Sequence, residues 1–306
     1  MHYSVMLNEA IENLNIKDDG IYVDATVGYA GHSKEILTRT KRGFLFAFDA
    51  DQNAIDFAQR RLSEISSNFK IFHSNFSNLK ECLLSEKIES VDGFLFDLGV
   101  SSPQIDEASR GFSFMKDATL DMRMDQESEI SALEVVNEYS LEKLTEIFFK
   151  YGEENLSKVI AKKIVDERIG KKIETTKELV AIIEKAVGKK YFILKHPERQ
   201  IFQAIRIEVN KELQVIEEAL PEAIKMLKKG GRICVITFHS LEDRIVKQIF
   251  RKYSEVDEMV KGLPEIPDEY KPLIKIINRK PILPSEKELL ENSRSKSAKL
   301  RVIERI

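Results

Sequence analysis

The 306-residue sequence predicts an α/β fold, a parallel sheet interrupted by an all-helical insertion. Two observations predict it. Short apolar runs recur in the first hundred residues, at Gly20–Asp24, Gly43–Asp49, Lys70–His73 and Val91–Asp97, with helical patterns between them. Strands separated by roughly 15 to 25 residues leave room for one crossover helix each, the signature of βαβ units. Continuous rather than alternating apolar runs mark strands buried on both faces. From about Ala132 to Lys190, by contrast, only helical periodicity is present.

In that middle stretch Ser140 is placed to cap a helix whose Leu141, Leu144, Ile147 and Phe148 share a face, and Gly152 to end it. Leu156, Val159, Ile160 and Ile164 form the next face, ending near Gly170, and Thr175 with Glu178 has capping-box spacing before Leu179, Ile182 and Ile183. The α/β pattern then resumes. A helix is expected from about Phe202 to Leu220 and a second one to Lys229. Gly230-Gly231 turns into a strand from Arg232 to Phe238, followed by a helix from Leu241 to Tyr253. A proline-containing loop from Gly262 to Pro272 precedes a strand at Leu273–Ile277, a short helix with Ser285 and Glu288 at capping-box spacing, and a last strand from Lys299 to Ile306. The expected division is a discontinuous sheet domain, residues 1–108 and 200–306, and a helical domain, residues 109–199.

Composition sets bounds on function. With 42% hydrophobic and 32% charged residues the chain can bury a sizeable core. Its net charge of -3 argues against indiscriminate coating of nucleic acid, which requires many phosphate-neutralising cations. The amino-terminal stretch is broken by Asn8, Glu9 and Glu12, so neither a signal-peptide core nor a membrane span is expected, and the predicted location is cytoplasmic. Cys82 and Cys234 have neither pairing nor metal-ligand spacing and read as apolar filler; no metal is expected. The tail from Asn292 to Ile306 concentrates Arg294, Lys296, Lys299, Arg301 and Arg305, either as a local RNA-binding patch or as a protected edge strand.

The candidate cofactor site follows the first strand. Asp24-Ala25-Thr26-Val27-Gly28-Tyr29-Ala30-Gly31-His32-Ser33 occupies the strand-to-helix turn where an open α/β sheet binds its ligand. The turn offers G-x-x-G and not the G-x-G-x-x-G that cradles a pyrophosphate, so a dinucleotide is disfavoured. Asp49, about 20 residues on, ends the second strand, where a carboxylate can accept both hydroxyls of a ribose. A ribose without phosphates suggests S-adenosylmethionine. Asp97, ending the fourth strand, completes a row of acids suited to a sulfonium or ammonium. Phe76 either stacks on adenine or belongs to the core.

The segments Asp97 to Asp106, Arg110 to Phe114 and Leu120 to Asp125 mix glycine, polar and apolar residues without helix or strand period, as functional loops do. The strand before Thr237 then delivers Phe238-His239-Ser240-Leu241-Glu242-Asp243-Arg244 to the same edge. On these segments, together with Tyr151-Gly152-Glu153-Glu154, Phe202 to Ile207, Val209-Asn210 and Asn292 to Val302, the chain resembles the bacterial 16S rRNA cytosine-N4 methyltransferase family, RsmH, formerly MraW. The match runs end to end, with DLGVSSPQ, RGFSF, LDMRMD and FHSLEDRIVK in order.

The resemblance implies a class I, Rossmann-like S-adenosylmethionine methyltransferase sheet with a helical substrate-recognition insertion. It also implies methylation of cytosine N4 at the family's position C1402, in the decoding region of the small ribosomal subunit. By motif position the cofactor contacts carry over to Ala30, Gly31, His32, Asp49, Phe76, Asp97 and Gln104, beside Asp24 and Gly28 of the same turn. Tyr29-Ala30 departs from the family's Arg-Gly, and Ala30 can offer its N–H to the cofactor if its φ is negative. Thr237 and Ser293 stand where the family more often has Ser and Pro.

Asp97, Ser101, Ser102 and His239 are the expected catalytic set, although a histidine closing a strand also serves structure. Arg110, Arg123, Arg244, Arg294, Lys296 and Arg301 are the expected contacts to RNA phosphates; Arg123 and Arg244 have the alternative of pairing with Asp121 or Asp243. A DNA amino-methyltransferase would carry D/S/N-P-P-Y, which is absent. A ribosome-assembly factor that binds RNA without catalysis would have no need of Asp24, Asp49 and Asp97 together.

Overall fold

The computed structural model describes residues 4–260 and 262–306; Met1, His2, Tyr3 and Lys261 lie outside the described residues. In chain order the elements are α1 (Leu7–Leu14), β1 (Ile21–Asp24), α2 (Gly31–Arg39), β2 (Phe44–Asp49), α3 (Gln52–Ser63), β3 (Phe69–His73), α4 (Leu79–Ser85) and β4 (Val91–Asp97). Then come α5 (Ser102–Asp106), α6 (Ala132–Glu138), α7 (Leu141–Lys150), α8 (Ser157–Gly170), α9 (Thr176–Val187), α10 (Lys189–Lys195) and α11 (Pro197–Asn210). The chain closes with α12 (Glu212–Met226), β5 (Leu227–Thr237), α13 (Ser240–Ser254), β6 (Ile274–Ile276), α14 (Glu286–Glu291) and β7 (Lys299–Arg305). Two compact units result, residues 1–99 with 213–306, and residues 100–212.

Among the described residues of the first unit, seven strands form one sheet in the order β3-β2-β1-β4-β5-β7-β6. The first five strands by sequence pair in parallel, and β7 is antiparallel to both β5 and β6. Alternate residues feed the two faces, as the period of a strand requires. Phe46, Phe48, Phe94, Phe96 and Val235 join the core formed with Leu79, Ile216, Leu220 and Phe250, while Leu45, Ala47, Leu95, Cys234 and Ile236 join that formed with Ile11, Leu14, Ile36 and Leu62. Cys234 is thus apolar core, as expected, whereas Cys82 is half-buried at the margin. Expected and observed strands coincide closely except at β5. It starts at Leu227, opposite Val91, and takes in the Gly230-Gly231 pair that was expected to form a turn; the register shifts between Val91 and Gly93 absorb the irregularity.

The second unit is built on helices with recognisable ends. Ser131, Ser140 and Thr175 cap α6, α7 and α9, the first and last with full capping boxes. Their apolar faces meet in one core that includes Leu144, Ile147, Phe148, Ile160, Ile164, Leu179 and Ile183. Ile201, Phe202, Ala204, Ile205 and Val209 of α11 belong to the same core, which is why residues 200–212 group with the helical unit. The helix expected from Phe202 to Leu220 is broken at Lys211, whose φ of 51° is left-handed and ends α11. No helix among the described residues is long and apolar enough to cross a membrane.

Asn210 fixes the LDMRMD loop within this unit. Its Oδ1 accepts the Met124 N–H at 2.8 Å, and its Nδ2 donates to the carbonyls of Met122 (2.8 Å) and Arg206 (2.9 Å). Asn210→Ala leaves the Met124 amide and the Met122 carbonyl without these partners and is expected to cost about 1–3 kcal/mol in urea denaturation. An unchanged midpoint would count against this anchoring role.

Candidate active site

The parallel strands of the first unit end on one edge, and β1 ends early. Asp24 lies level with Ala47 of β2 and Leu95 of β4, yet those strands continue to Asp49 and Asp97. The chain leaving β1 fills the resulting notch: Ala25 N–H donates to the Leu95 carbonyl, and Val27 N–H to that of Phe48. Thr26 Oγ1 accepts the Asp97 N–H at 2.8 Å, and Asp49 Oδ2 accepts the Gly28 N–H at 2.8 Å. Strand order reverses at β1, so this is also the switch point where such sheets bind ligands.

Gly28 has a φ of 46° and Ala30 one of 56°. Ala30 therefore does not meet the condition set for it: its φ is positive, and its N–H closes the turn onto the Val27 carbonyl at 2.7 Å. Holding an alanine in left-handed backbone costs about 1–2 kcal/mol relative to glycine. Gly31 opens α2 directly against the amino-terminal segment, since a Cβ there would stand 1.7 Å from Ser4 Oγ.

The three acids have different tasks. Asp24, 1% exposed, spends its oxygens on the turn, accepting the Thr26 N–H at 3.1 Å and the Ser33 hydroxyl at 2.6 Å. Burial pushes its carboxyl from 3.8 up to about 6, against the lowering effect of those bonds. Asp49 accepts N–H groups from Gly28 and, at 2.9 Å, Asp51, and burial likewise raises it to about 6. Asp51 caps α3 through the Asn53 N–H. Asp97 is raised well above the ordinary carboxylate range, first by burial and then by the charges of Asp24, Glu242 and Glu288. Its Oδ1 is buried with no hydrogen-bond partner among the described residues. His32 faces it, Nδ1 to Oδ2 at 3.7 Å, while Nε2 meets the Val5 carbonyl at 3.0 Å. Burial pulls His32 down to about 4, so the ring is neutral at pH 7.

Phe76 is half-buried, edge-to-face on Phe96 with centroids 5.6 Å apart, and shares a recess with Leu98, Ile216, Leu220 and Val235. It is at once a core margin and an apolar wall. His239 is the N-cap of α13: Nδ1 accepts the Glu242 N–H at 3.4 Å, and Glu242 Oε2 accepts the N–H groups of Phe238 (2.7 Å) and His239 (3.2 Å). Glu242 is fully buried, a site residue missed from sequence, though His-x-x-Glu reproduces capping-box spacing. Ser101, Ser102 and Gln104 belong to the helical unit. There Ser101 caps α5, which begins at Ser102, and Gln104 Oε1 accepts the Ser101 N–H at 2.9 Å.

The expected phosphate contacts separate into two groups. Arg110 is 3% exposed and donates to the carbonyls of Arg123 (2.9 Å) and Met124 (3.1 Å). Arg123 pairs with both oxygens of Asp121 and donates to the Ser128 carbonyl. Arg301, 8% exposed, grips Asp243 at 2.6 and 3.1 Å. Arg110 and Arg301 are buried and Arg123 is partly exposed, and all three already hold carbonyl or carboxylate partners, as clamps on loops and strands do. Arg244, Arg294 and Lys296 are exposed.

Sheet order, the antiparallel seventh strand and the acids around the β1 notch define a class I S-adenosylmethionine methyltransferase. The family model of MraW methylases matches residues 1–306, and the chain belongs to the MraW methylase family. It is 55% identical over 307 residues to the ribosomal RNA small subunit methyltransferase H of Clostridioides difficile (strain 630), covering 100% of this chain and 99% of that protein. Among solved structures it is similar to an rRNA methylase from Streptococcus thermophilus (14% identity, 98% of this chain and 93% of that one, TM-score 0.42). It is also similar to a Streptococcus mutans protein in complex with SAH (10% identity, 100% of both chains, TM-score 0.45). S-adenosylmethionine is the methyl donor of this methylase, and the site fits it: a buried, unpartnered carboxyl oxygen on Asp97 calls for a cation.

A raised carboxyl binds its proton more tightly folded than unfolded, so its stabilising contribution is complete at low pH and is lost as pH rises towards the folded value. Relative to Asp24→Asn, the wild-type protein is therefore expected to lose stability between about pH 4 and pH 6, the interval from 3.8 to about 6. Denaturant melts of both proteins across that range check this; a constant difference would contradict it.

Proposed function

We propose that this protein transfers a methyl group from S-adenosylmethionine to N4 of a cytosine in the decoding region of 16S rRNA, the position numbered C1402 in the family, in the cytoplasm and on the small subunit. Two things support this reading: the relative 55% identical over the full chain is a small-subunit rRNA methyltransferase, and the end-to-end motif match belongs to cytosine-N4 enzymes. The observation that carries the chemistry is the unpartnered Asp97 oxygen at the switch point.

The donor supplies a methyl group made electrophilic by a sulfonium. Asp49, held in plane by the Gly28 and Asp51 N–H groups, retains lone pairs for the ribose hydroxyls. Phe76 would offer the adenine an apolar wall, and Gly31 and His32 would hold the methionine portion. Asp97 offers Oδ1 to a cationic amine, and the incoming positive charge returns its carboxyl to the ionised form. The cytosine amine is a poor nucleophile because its lone pair is delocalised into the ring. An oxygen accepting one N4 hydrogen localises that lone pair, and the same nitrogen must shed a proton once the N–C bond has formed. Asp97 is the group assigned to this end of the site, and His239 holds the α13 cap. Most of the acceleration then comes from positioning and electrostatics. The base must be unstacked to be reached. Arg244, Arg294 and Lys296 are the exposed cations assigned to phosphates, and the helical unit is assigned to substrate recognition.

Purified small subunits lacking the modification, incubated with protein and labelled donor, are expected to yield N4-methylcytidine on nucleoside mass analysis. Asp97→Ala should lower kcat/KM by about 100-fold or more, and Asp49→Ala should weaken donor binding by about tenfold. Label recovered on another atom, or normal turnover by Asp97→Ala, would overturn the reading.

A further inference from the structure

The amino-terminal segment crosses the cofactor turn and is tied to the far end of the chain. Val5 presents its carbonyl to His32 Nε2 at 3.0 Å, and Ser4 lies against Gly31. The next residue, Met6, is fully buried in left-handed backbone with a φ of 52°. Its N–H donates to Glu288 Oε1 at 2.7 Å, and the same oxygen accepts the hydroxyl of the fully buried Ser295 at 2.5 Å. Glu288 lies on α14 and Ser295 in the turn leading to β7, both remote in sequence from the cofactor turn.

A carbonyl only accepts, so the bond to Val5 places the proton of the neutral His32 ring on Nε2. Nδ1, the nitrogen 3.7 Å from Asp97 Oδ2, is then an acceptor. The contacts thus run from a carboxylate on α14 through residues 5 and 6 to the histidine that faces Asp97. Resting on the assignment of His32 and Asp97 to the cofactor site, we propose that Glu288 is a positioning residue: with Ser295 it pins residues 4–6 across the turn, and the pinned Val5 carbonyl fixes the tautomer and orientation of His32. Glu288 touches neither donor nor RNA in this role. Its charge also reaches Asp97, where it adds to the raising of that carboxyl.

The test uses the full-length protein without RNA. Spectra of ¹⁵N-histidine-labelled protein, with the His32 signal assigned by its loss in His32→Gln, report the tautomer directly. Calorimetric titration with S-adenosylmethionine reports affinity. Wild type is expected to show a single Nε2–H tautomer. Glu288→Ala should mix the tautomers and raise the donor Kd by about tenfold, the loss of one hydrogen bond to a charged group. Glu288→Gln retains an accepting oxygen and should restore both readouts, which loss of folding stability alone would not predict. If Glu288→Ala does not fold, Ser295→Ala, which frees the carboxylate on one side only, is expected to show the same mixing to a smaller degree. A folded Glu288→Ala or Ser295→Ala with wild-type histidine signals and Kd overturns the proposal. In the same titration, lost affinity in Asp97→Asn beside unchanged affinity in Glu288→Ala overturns the positioning role and leaves the cofactor site standing. Unchanged affinity in Asp97→Asn overturns the site assignment and the inference built on it.

Discussion

β1 stops short of its neighbours on both sides, and the site is organised around that shortfall. Because β2 and β4 run on past the level of Asp24, their ends stand apart with unfilled backbone groups facing the gap. The next residues of the chain supply the missing partners in turn, Ala25 and Val27 through their N–H groups and Thr26 through its hydroxyl. The turn is thereby fastened to both flanking strands before any ligand arrives. Preorganisation of this kind lets a site act electrostatically without rearranging during the reaction.

The same fastening gathers carboxyl groups where water is scarce. Asp24 and Asp49 are raised to about 6 and Asp97 well above its ordinary value, all by burial first, so a cationic ligand would favour their ionised forms. Asp24 is compensated by Ser33 and Thr26, and Asp49 by two backbone amides, but one oxygen of Asp97 has no partner among the described residues. An isolated buried acceptor is destabilising for the protein alone. Its persistence is intelligible if binding of the donor removes the deficit.

Strand positions, caps and the acids at strand ends were legible in the sequence because each is a local pattern: an apolar run, a Ser or Thr three residues before Glu, an Asp where the run stops. Partnerships made across the fold were not. Only the fold shows Met124 and Asp243 beside Arg110 and Arg301, and only the fold shows Nδ1 of His239 in a cap completed by Glu242. The break at Lys211 has no glycine or proline to announce it. Ala30 is a further case, since a residue type that favours negative φ occupies a turn requiring the opposite sign. Motif resemblance singles out segments, while burial separates the side chains in them that are enclosed from those that are exposed.

The antiparallel β7 has a consequence for biogenesis. Among the strands of the described residues it comes last in sequence, yet it lies between β5 and β6, bonded to both. Until it is made, β5 and β6 each present an open edge, the kind of surface that pairs with other chains. A nascent chain can build its parallel half early, since domains fold as they emerge, but the sheet is complete only once β7 has been made. A product cut before Lys299 would therefore lack the strand that joins β6 to β5, and such truncations should be recovered as aggregates or degradation products rather than as weakened enzyme.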